Sequence, residues 1–275
     1  MAKAETYTFS VGIDDEKRLQ ALNHICNPYT LDFLNQNVLD LKAKVILDVG
    51  CGTGLLTVEL AKRVGPQGKV IAIDISVEQL VIAKNYAEKH GVNNIEFICL
   101  DVNSLTEIDV HADFVYSRFL LEHLKEPYYA LDQMNRLLKQ GGYLLCENAV
   151  SYEAMFCIPE SAAYKDWQQA IMLQPKLHDT DFFIGKNLYH HYLTMGIKPI
   201  GYHLQQPFIS DVEDRIQFHL ALQSKTMQNL LVKKGYYTSE KLLNITDRIV
   251  GLMKQDVLVT FPQYIQLLGK KDNSK

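Results

Sequence analysis

Between residues 42 and 150 the chain alternates short, unbroken apolar runs with segments whose apolar positions recur every three or four residues. The unbroken runs are KVILDVG (44–50), KVIAIDI (69–75), IEFICLDV (95–102), ADFVYSRF (112–119) and GYLLCENAV (142–150). Continuous rather than alternating hydrophobicity predicts strands buried on both faces of a parallel sheet. Between the runs, Leu56, Leu60 and Val64 are spaced by four, and Gly65-Pro66 stops that helix. Ser76-Val77-Glu78-Gln79 is a capping-box pattern opening a helix that runs to Gly91. Tyr129, Leu131, Met134 and Leu138, followed by Gly141-Gly142, describe another. Strand–helix alternation of this kind predicts βαβ units and a doubly wound sheet.

The flanks have a different texture. In residues 1–41 an acidic start at Asp14, Asp15 and Glu16 precedes Leu19, Leu22, Ile25 and Cys26 at helical spacing. Pro28 is expected to end that helix, and a second short helix to carry Leu31, Leu34 and Val38. In residues 151–275, 184–196 reads as a helix, 198–210 as a strand, about 211–234 and 239–256 as longer helices, and 257–269 as a last strand with Pro262 marking a bulge. The expected architecture is α/β: a mostly parallel seven-stranded sheet, completed by the last two strands. N-terminal helices form a lead-in (1–41), the core spans 42–150, and 151–275 adds a helical cap around 151–183 and 211–256.

Composition narrows the class. With 47% hydrophobic and 22% charged residues in 275, the chain can build a large core and is not of the disordered type. That length suits two domains or one α/β domain with an insertion, and the pattern above favours the second. The formal charge of −4 gives no basic field for nucleic acid. The 5 cysteines include no CxxC pair, and several sit in apolar runs, predicting reduced and mostly buried thiols. The 9 histidines lack zinc-site spacing, so no metal is expected. The first residues lack the apolar stretch of a signal peptide, and no run is long and apolar enough to span a membrane. A cytoplasmic location is the expectation.

The sharpest local signal is Val45-Ile46-Leu47-Asp48-Val49-Gly50-Cys51-Gly52-Thr53-Gly54, a buried strand entering alternate glycines with a helix beginning at once. Such a turn brings a ligand against the backbone and against a helix N-terminus. A dinucleotide fingerprint would place its third glycine where Leu55 stands, and Asp48 would be unfavourable beside a pyrophosphate. A carboxylate there suits a cationic ligand, which favours S-adenosylmethionine. Asp74 ends the next strand, where a ribose-binding carboxylate belongs, and Asp101 ends the third, placed to accept from an adenine amine with Val102 flanking the ring. Either aspartate alone could be a helix N-cap.

Together, VILDVGCGTG (45–54), VIAIDIS (70–76), FICLDVNSL (97–105), ADFVYSRFLLEHLKEP (112–127) and LDQMNRLLKQGGYLLCEN (131–148) resemble a class I S-adenosylmethionine-dependent methyltransferase of the UbiE-like, small-molecule type. The resemblance implies a Rossmann-like fold, S-adenosyl-L-methionine as cofactor and S-adenosyl-L-homocysteine as product. It would put Asp48, Gly50, Cys51, Gly52 and Thr53 around the methionine part, and Asp74 on the ribose with Ile75 against the adenine and Gln79 nearby. Asp101 and Val102 would hold the adenine, and Arg118 and Phe119 would lie under the sulfonium side. Tyr7 and Arg18 of the lead-in are candidates for covering the cofactor.

His123 is the candidate general base, against a purely structural turn in LLEHL. Glu147, Asn148 and Tyr152 are candidates for binding the acceptor, and Tyr164 for lining its pocket. Cys51 has no base placed to activate it and reads as a small loop residue. A small-molecule acceptor, methylated at O, N or C by a monomer or homodimer, is the leading reading. A protein or RNA acceptor and a non-catalytic cofactor-binding partner subunit are the alternatives. A dinucleotide oxidoreductase ranks last.

Overall fold

The computed structural model describes residues 13–37, 40–173, 176–177, 180–223 and 225–272. Its strands are β1 (Val45–Val49), β2 (Lys69–Asp74), β3 (Ile95–Cys99), β4 (Ala112–Arg118), β5 (Leu138–Ser151), β6 (Cys157–Ile158), β7 (Ile197–Gln205), β8 (Leu258–Val259) and β9 (Gln263–Lys271). The described helices are α1 (Ile13–Asn37), α2 (Leu55–Val64), α3 (Val77–Lys89), α4 (Pro127–Leu137), α5 (Ala162–Ile171), α6 (Leu188–Thr194), α7 (Val212–His219), α8 (Lys225–Lys233) and α9 (Ser239–Met253).

A 7-stranded sheet runs in the order β3-β2-β1-β4-β5-β9-β7. Its first five strands are parallel, and β9 is antiparallel to both β5 and β7. The pleat sends successive side chains to opposite faces. Leu47, Ile71, Val115 and Leu144 meet Leu131 and Met134 of α4 and Tyr192 of α6 on one side. Ile46, Val70, Phe114 and Leu145 meet Leu56 and Leu60 of α2 and Phe33 and Leu34 of α1 on the other. Both faces of β1, β2 and β4 are therefore covered, which is why their sequences are unbroken apolar runs.

β3 departs from that expectation. It is the sheet edge, its side chains are partly or fully exposed, and Cys99 is an exposed thiol. No outer neighbour covers it, and Glu96 there meets Lys69 of β2 at 2.5 Å in solvent. All five cysteines are free; Cys26, Cys146 and Cys157 are buried as expected.

A third apolar cluster joins α1 to the cap. Ile25 and Cys26 of α1 pack with Trp167 of α5, Phe218 of α7, Met227 of α8, and Leu242 and Ile249 of α9. α1 thus reaches from the sheet face at Phe33 and Leu34 to the cap at Ile25. It is one helix and not two: Pro28 lies inside it. The missing N–H of Pro28 is outweighed by packing on both sides of the proline and by Arg118. That guanidinium donates to Asn23 Oδ1 (2.9 Å), Asn27 Oδ1 (2.8 Å) and Thr30 Oγ1 (3.1 Å), bracketing the break. Val38 lies outside the described residues.

The segment expected as one last strand is two. β8 pairs with β6 in a separate 2-stranded sheet, whereas β9 enters the main sheet. Pro262 stands between them because it has no N–H to give a ladder. The 211–234 pattern likewise divides, into α7, a 3-10 turn at Leu220–Gln223, and α8. Among the described residues no helix is long and apolar enough to cross a membrane, and no group of three or more His, Cys, Asp and Glu could hold a metal ion.

Candidate functional site

Parallel pairing aligns the C-terminal ends of β1, β2 and β4, with Asp48 opposite Tyr116 and Val49 opposite Ile73 and Ser117. The glycine loop leaves β1 at this edge. Gly50, Gly52 and Gly54 have φ of 78°, 55° and 76°, a region that favours glycine. At Gly54 a Cβ would lie 2.7 Å from Ala83 Cβ, so its absence lets α2 and α3 approach. The N–H groups of Gly50 and Cys51 donate to Ile73 O at 2.8 and 3.0 Å, tying the loop to β2. α2 starts at Leu55 with no side-chain cap on its first N–H groups.

Asp48 is 3% exposed and accepts from Thr57 Oγ1 at 2.6 Å. Burial pushes its carboxyl up to about 6, against the opposing effects of the Thr57 hydrogen bond and the Arg118 charge. Asp74 accepts from Gly52 N and Ser76 N, each at 2.9 Å. Burial raises its pKa as well, and those backbone N–H groups oppose the rise. Ser76 caps α3 by accepting from Gln79 N at 3.3 Å, while its own N–H goes to Asp74. Asp101 does cap, accepting from Asn103 N at 2.8 Å at the head of a 3-10 turn.

One cavity of about 570 Å³ joins these groups. It is lined by Asp48, Gly50, Cys51, Gly52, Thr53, Asp74, Ile75, Gln79, Asp101, Val102, Arg118, Phe119, His123 and Arg18, all of them sequence candidates. Tyr7 lies outside the described residues. Leu19, Leu22 and Asn23 of α1 and Leu100 also line it. α1 therefore borders the cleft, where the lead-in is expected to cover the cofactor. Burial lifts the Cys51 thiol well above its ordinary value, in keeping with an inert loop residue. Phe119 has φ of 50°, a strained conformation for a bulky residue, and its N–H donates to Glu147 O at 2.9 Å.

Glu147 and Asn148 are not at the cavity mouth. Both are 0% exposed and line neither cavity described here. Glu147 accepts from Thr30 Oγ1 and Tyr116 Oη at 2.8 Å each and from Gln266 Nε2 at 2.6 Å, with Arg118 Nη1 at 3.9 Å. Its oxygens are committed to joining α1, β4, β5 and β9. The expectation treated the end of β5 as a free rim, but β9 and the cap cover it.

A second, smaller cavity of about 50 Å³ shares Arg18, Leu22, Phe119 and His123 with the first. Its other walls include Glu122, Tyr152, Trp167, Phe218 and Phe261. Tyr152, just after β5, lines this smaller cavity. Tyr164 is not a wall; it is buried in the cap against Trp167 and His219, with ring centroids 5.8 Å apart in each pair. His123 forms part of the wall common to both cavities, on the 3-10 turn Leu121–His123, with its ring edge-on to Phe182 at 5.4 Å. The apolar cap residues Trp167, Phe218 and Phe261 carry no motif and escape sequence reasoning, apart from Trp167 being the 1 tryptophan of the chain.

Comparison with known proteins agrees with this geometry. A ubiquinone biosynthesis O-methyltransferase of Coxiella burnetii is 37% identical over 122 residues, 44% of this chain and 50% of that protein. A demethylmenaquinone methyltransferase of Staphylococcus aureus is 37% identical over 105 residues, 38% of this chain and 43% of that protein. The chain spans about half the length of the curated relatives it matches. Among solved structures, that of the [4+2]-cyclase SpnF shares the fold, with a TM-score of 0.55 at 19% identity over 90% of this chain and 81% of that one. The methyltransferase domain family matches residues 40–206, from the strand before the glycine loop through β7. More than half the chain lies in that match, and the chain belongs to the class I S-adenosylmethionine-dependent methyltransferase family.

Proposed function

We propose that this chain transfers a methyl group from S-adenosylmethionine to a small-molecule acceptor, at O, N or C. The observation that carries the reading is the junction of a glycine-floored, acidic cleft with a smaller aromatic chamber through shared walls. The cleft residues fit the cofactor. A Cβ at Gly50 or Gly54 would meet Leu120 or Ala83, so these glycines let the loop and α2 pack closely, while Gly52 is the one whose missing Cβ would face the cleft-lining Gln79 and Leu19. Asp48 offers a carboxylate to an ammonium. Each oxygen of Asp74 takes one backbone N–H, and a carboxylate with about four acceptor sites keeps capacity for two ribose hydroxyls. Ile75 and Val102 would flank the adenine, with Asp101 at its amine and Gln79 nearby. When bound, the cofactor supplies an electrophilic methyl on a sulfonium.

The protein's own part is to hold the acceptor in line and exclude water. α1 and the cap do the latter. Arg118, expected beneath the sulfonium, lines the cleft and also ties α1 down over it. The relatives, a ubiquinone biosynthesis O-methyltransferase and a demethylmenaquinone methyltransferase, support a quinone-type, ring-bearing acceptor. A macromolecular acceptor would need an open groove, and the chamber beside the cleft holds only about 50 Å³.

Calorimetry with S-adenosylmethionine and with NAD tests the cofactor: only the former should bind. Asp74→Ala should weaken it by about 1.5–3 kcal/mol through loss of a charge-assisted contact. Unchanged affinity would remove Asp74 from the site.

A further inference from the structure

Glu122 is the one acidic wall of the aromatic chamber. It is 0% exposed, on the 3-10 turn that follows β4. Its Oε2 accepts from Asn148 Nδ2, and its Oε1 has no hydrogen-bond partner among the described residues. An acceptor oxygen so deeply buried is unfavourable unless something supplies a donor. The surrounding rings of Phe119, Tyr152, Trp167, Phe218 and Phe261 offer flat apolar walls, and Arg18 of α1 is the cationic side chain among the walls.

We propose that Glu122 Oε1 recognises the methyl acceptor by accepting a hydrogen bond from its O–H or N–H, which makes the acceptor a compact aromatic alcohol or amine whose polar end enters this chamber. The inference rests on the methyltransferase reading above and deepens it. The chamber admits only the end of a molecule, so the rest of the acceptor lies toward the wall shared with the cleft, beside His123 and Arg18. The acceptor's reacting atom then lies on its cleft side, so Glu122 selects and orients the acceptor through the far polar end and takes no part in the bond changes of methyl transfer. Burial pushes Glu122 up to about 7, against the hydrogen bonds that Asn148 and the backbone N–H groups of Glu122 and Ala149 give its carboxyl and with a further rise from Asp181, so it can hold or release a proton near neutrality. The other ionisable groups around it are His123 on its own turn, Arg18 on α1 and Tyr152 after β5.

The test uses the full chain saturated with S-adenosylhomocysteine, and phenol and anisole as matched probes with and without the donor. Wild type should prefer phenol about tenfold, and its phenol affinity should rise about tenfold from pH 6 to pH 8 as the carboxylate forms, while anisole binding stays flat. Glu122→Gln should abolish that pH dependence and bring the two probes within about threefold, a change in charge-assisted bonding, with S-adenosylhomocysteine affinity unchanged. The wild-type pH series needs no variant, so the proposal is tested even if Glu122→Gln fails to fold. A pH-independent phenol affinity in wild type, a phenol preference retained by Glu122→Gln, or no phenol binding at all would each overturn it. Failure of S-adenosylhomocysteine itself to bind would overturn the methyltransferase reading, and this inference with it.

Discussion

At the residue scale the site is a set of small groups whose types follow from backbone geometry and burial. Gly54→Ala places a side chain in the left-handed region and against Ala83. It should cost at least about 1–2 kcal/mol, read as a lowered midpoint in denaturant. Asp48 shows the electrostatic counterpart. Its carboxyl is raised from 3.8 to about 6, so the stability associated with it is full below the unfolded value and is lost as pH rises through about 6. Asp48→Asn should therefore flatten the pH dependence of the unfolding free energy between those values, by about 2–3 kcal/mol. A bound cation favours the ionised form, so cofactor affinity in wild type should rise with pH over the same range, and calorimetry at pH 5 and pH 8 checks it. These residues were legible in sequence because a turn with positive φ demands glycine, and because strand ends in a parallel sheet collect ligand groups. Glu147 was misread for the opposite reason. A lone acidic residue at a strand end looks like a rim group until its partners Thr30, Tyr116 and Gln266, remote in sequence, are seen around it.

At the element scale α1 departs most from local rules. Helix propensity places a break at Pro28, yet packing from both core clusters and the Arg118 bonds hold one helix across it. Propensity is a local preference of about 3 kcal/mol for proline, within reach of tertiary contacts. Pro28→Ala should then restore an N–H for the His24 carbonyl and raise stability by about 1–2 kcal/mol, visible as a higher melting temperature with unchanged cofactor affinity. A fall in melting temperature would show that the ring itself is needed. β3 misleads in the other direction. Its composition is that of a buried strand, and only its place at the end of the sheet order exposes it, which no single-sequence pattern encodes.

On the scale of the whole molecule, the parallel half was readable from its alternation of runs and helices. The antiparallel half was readable only in outline, because its strands are short, proline-interrupted and paired out of chain order. The cap joins the two halves through the cluster that contains Trp167, which is 1% exposed and donates Nε1–H to His219 O at 2.9 Å. His219, with ring centroids 4.4 Å from Trp167, has its pKa lowered by burial to about 4. Protonation of His219 should therefore change the intrinsic fluorescence of this lone tryptophan on acidification toward 4, separately from any step near 7 contributed by Glu122 on the same chamber wall. Phenol in the adjoining chamber should perturb it at neutral pH. Absence of the acid step would place a different packing beside the ring.

The place of β9 between β5 and β7 reaches beyond the finished fold. On the ribosome, β7 emerges well before the strand it must pair with has been made. Until residues 263–271 appear, β5 keeps an open apolar edge at Leu144, Leu145 and Cys146, of the kind that recruits other chains. The glycine loop and its three aspartates can be assembled during that interval, but the chamber cannot, because its roof and the strand behind it come last. Synthesis thus makes the half that would hold the methyl donor before the half that would admit something to methylate, and a nascent chain stalled in between would need a chaperone over that edge rather than a ligand in its cleft.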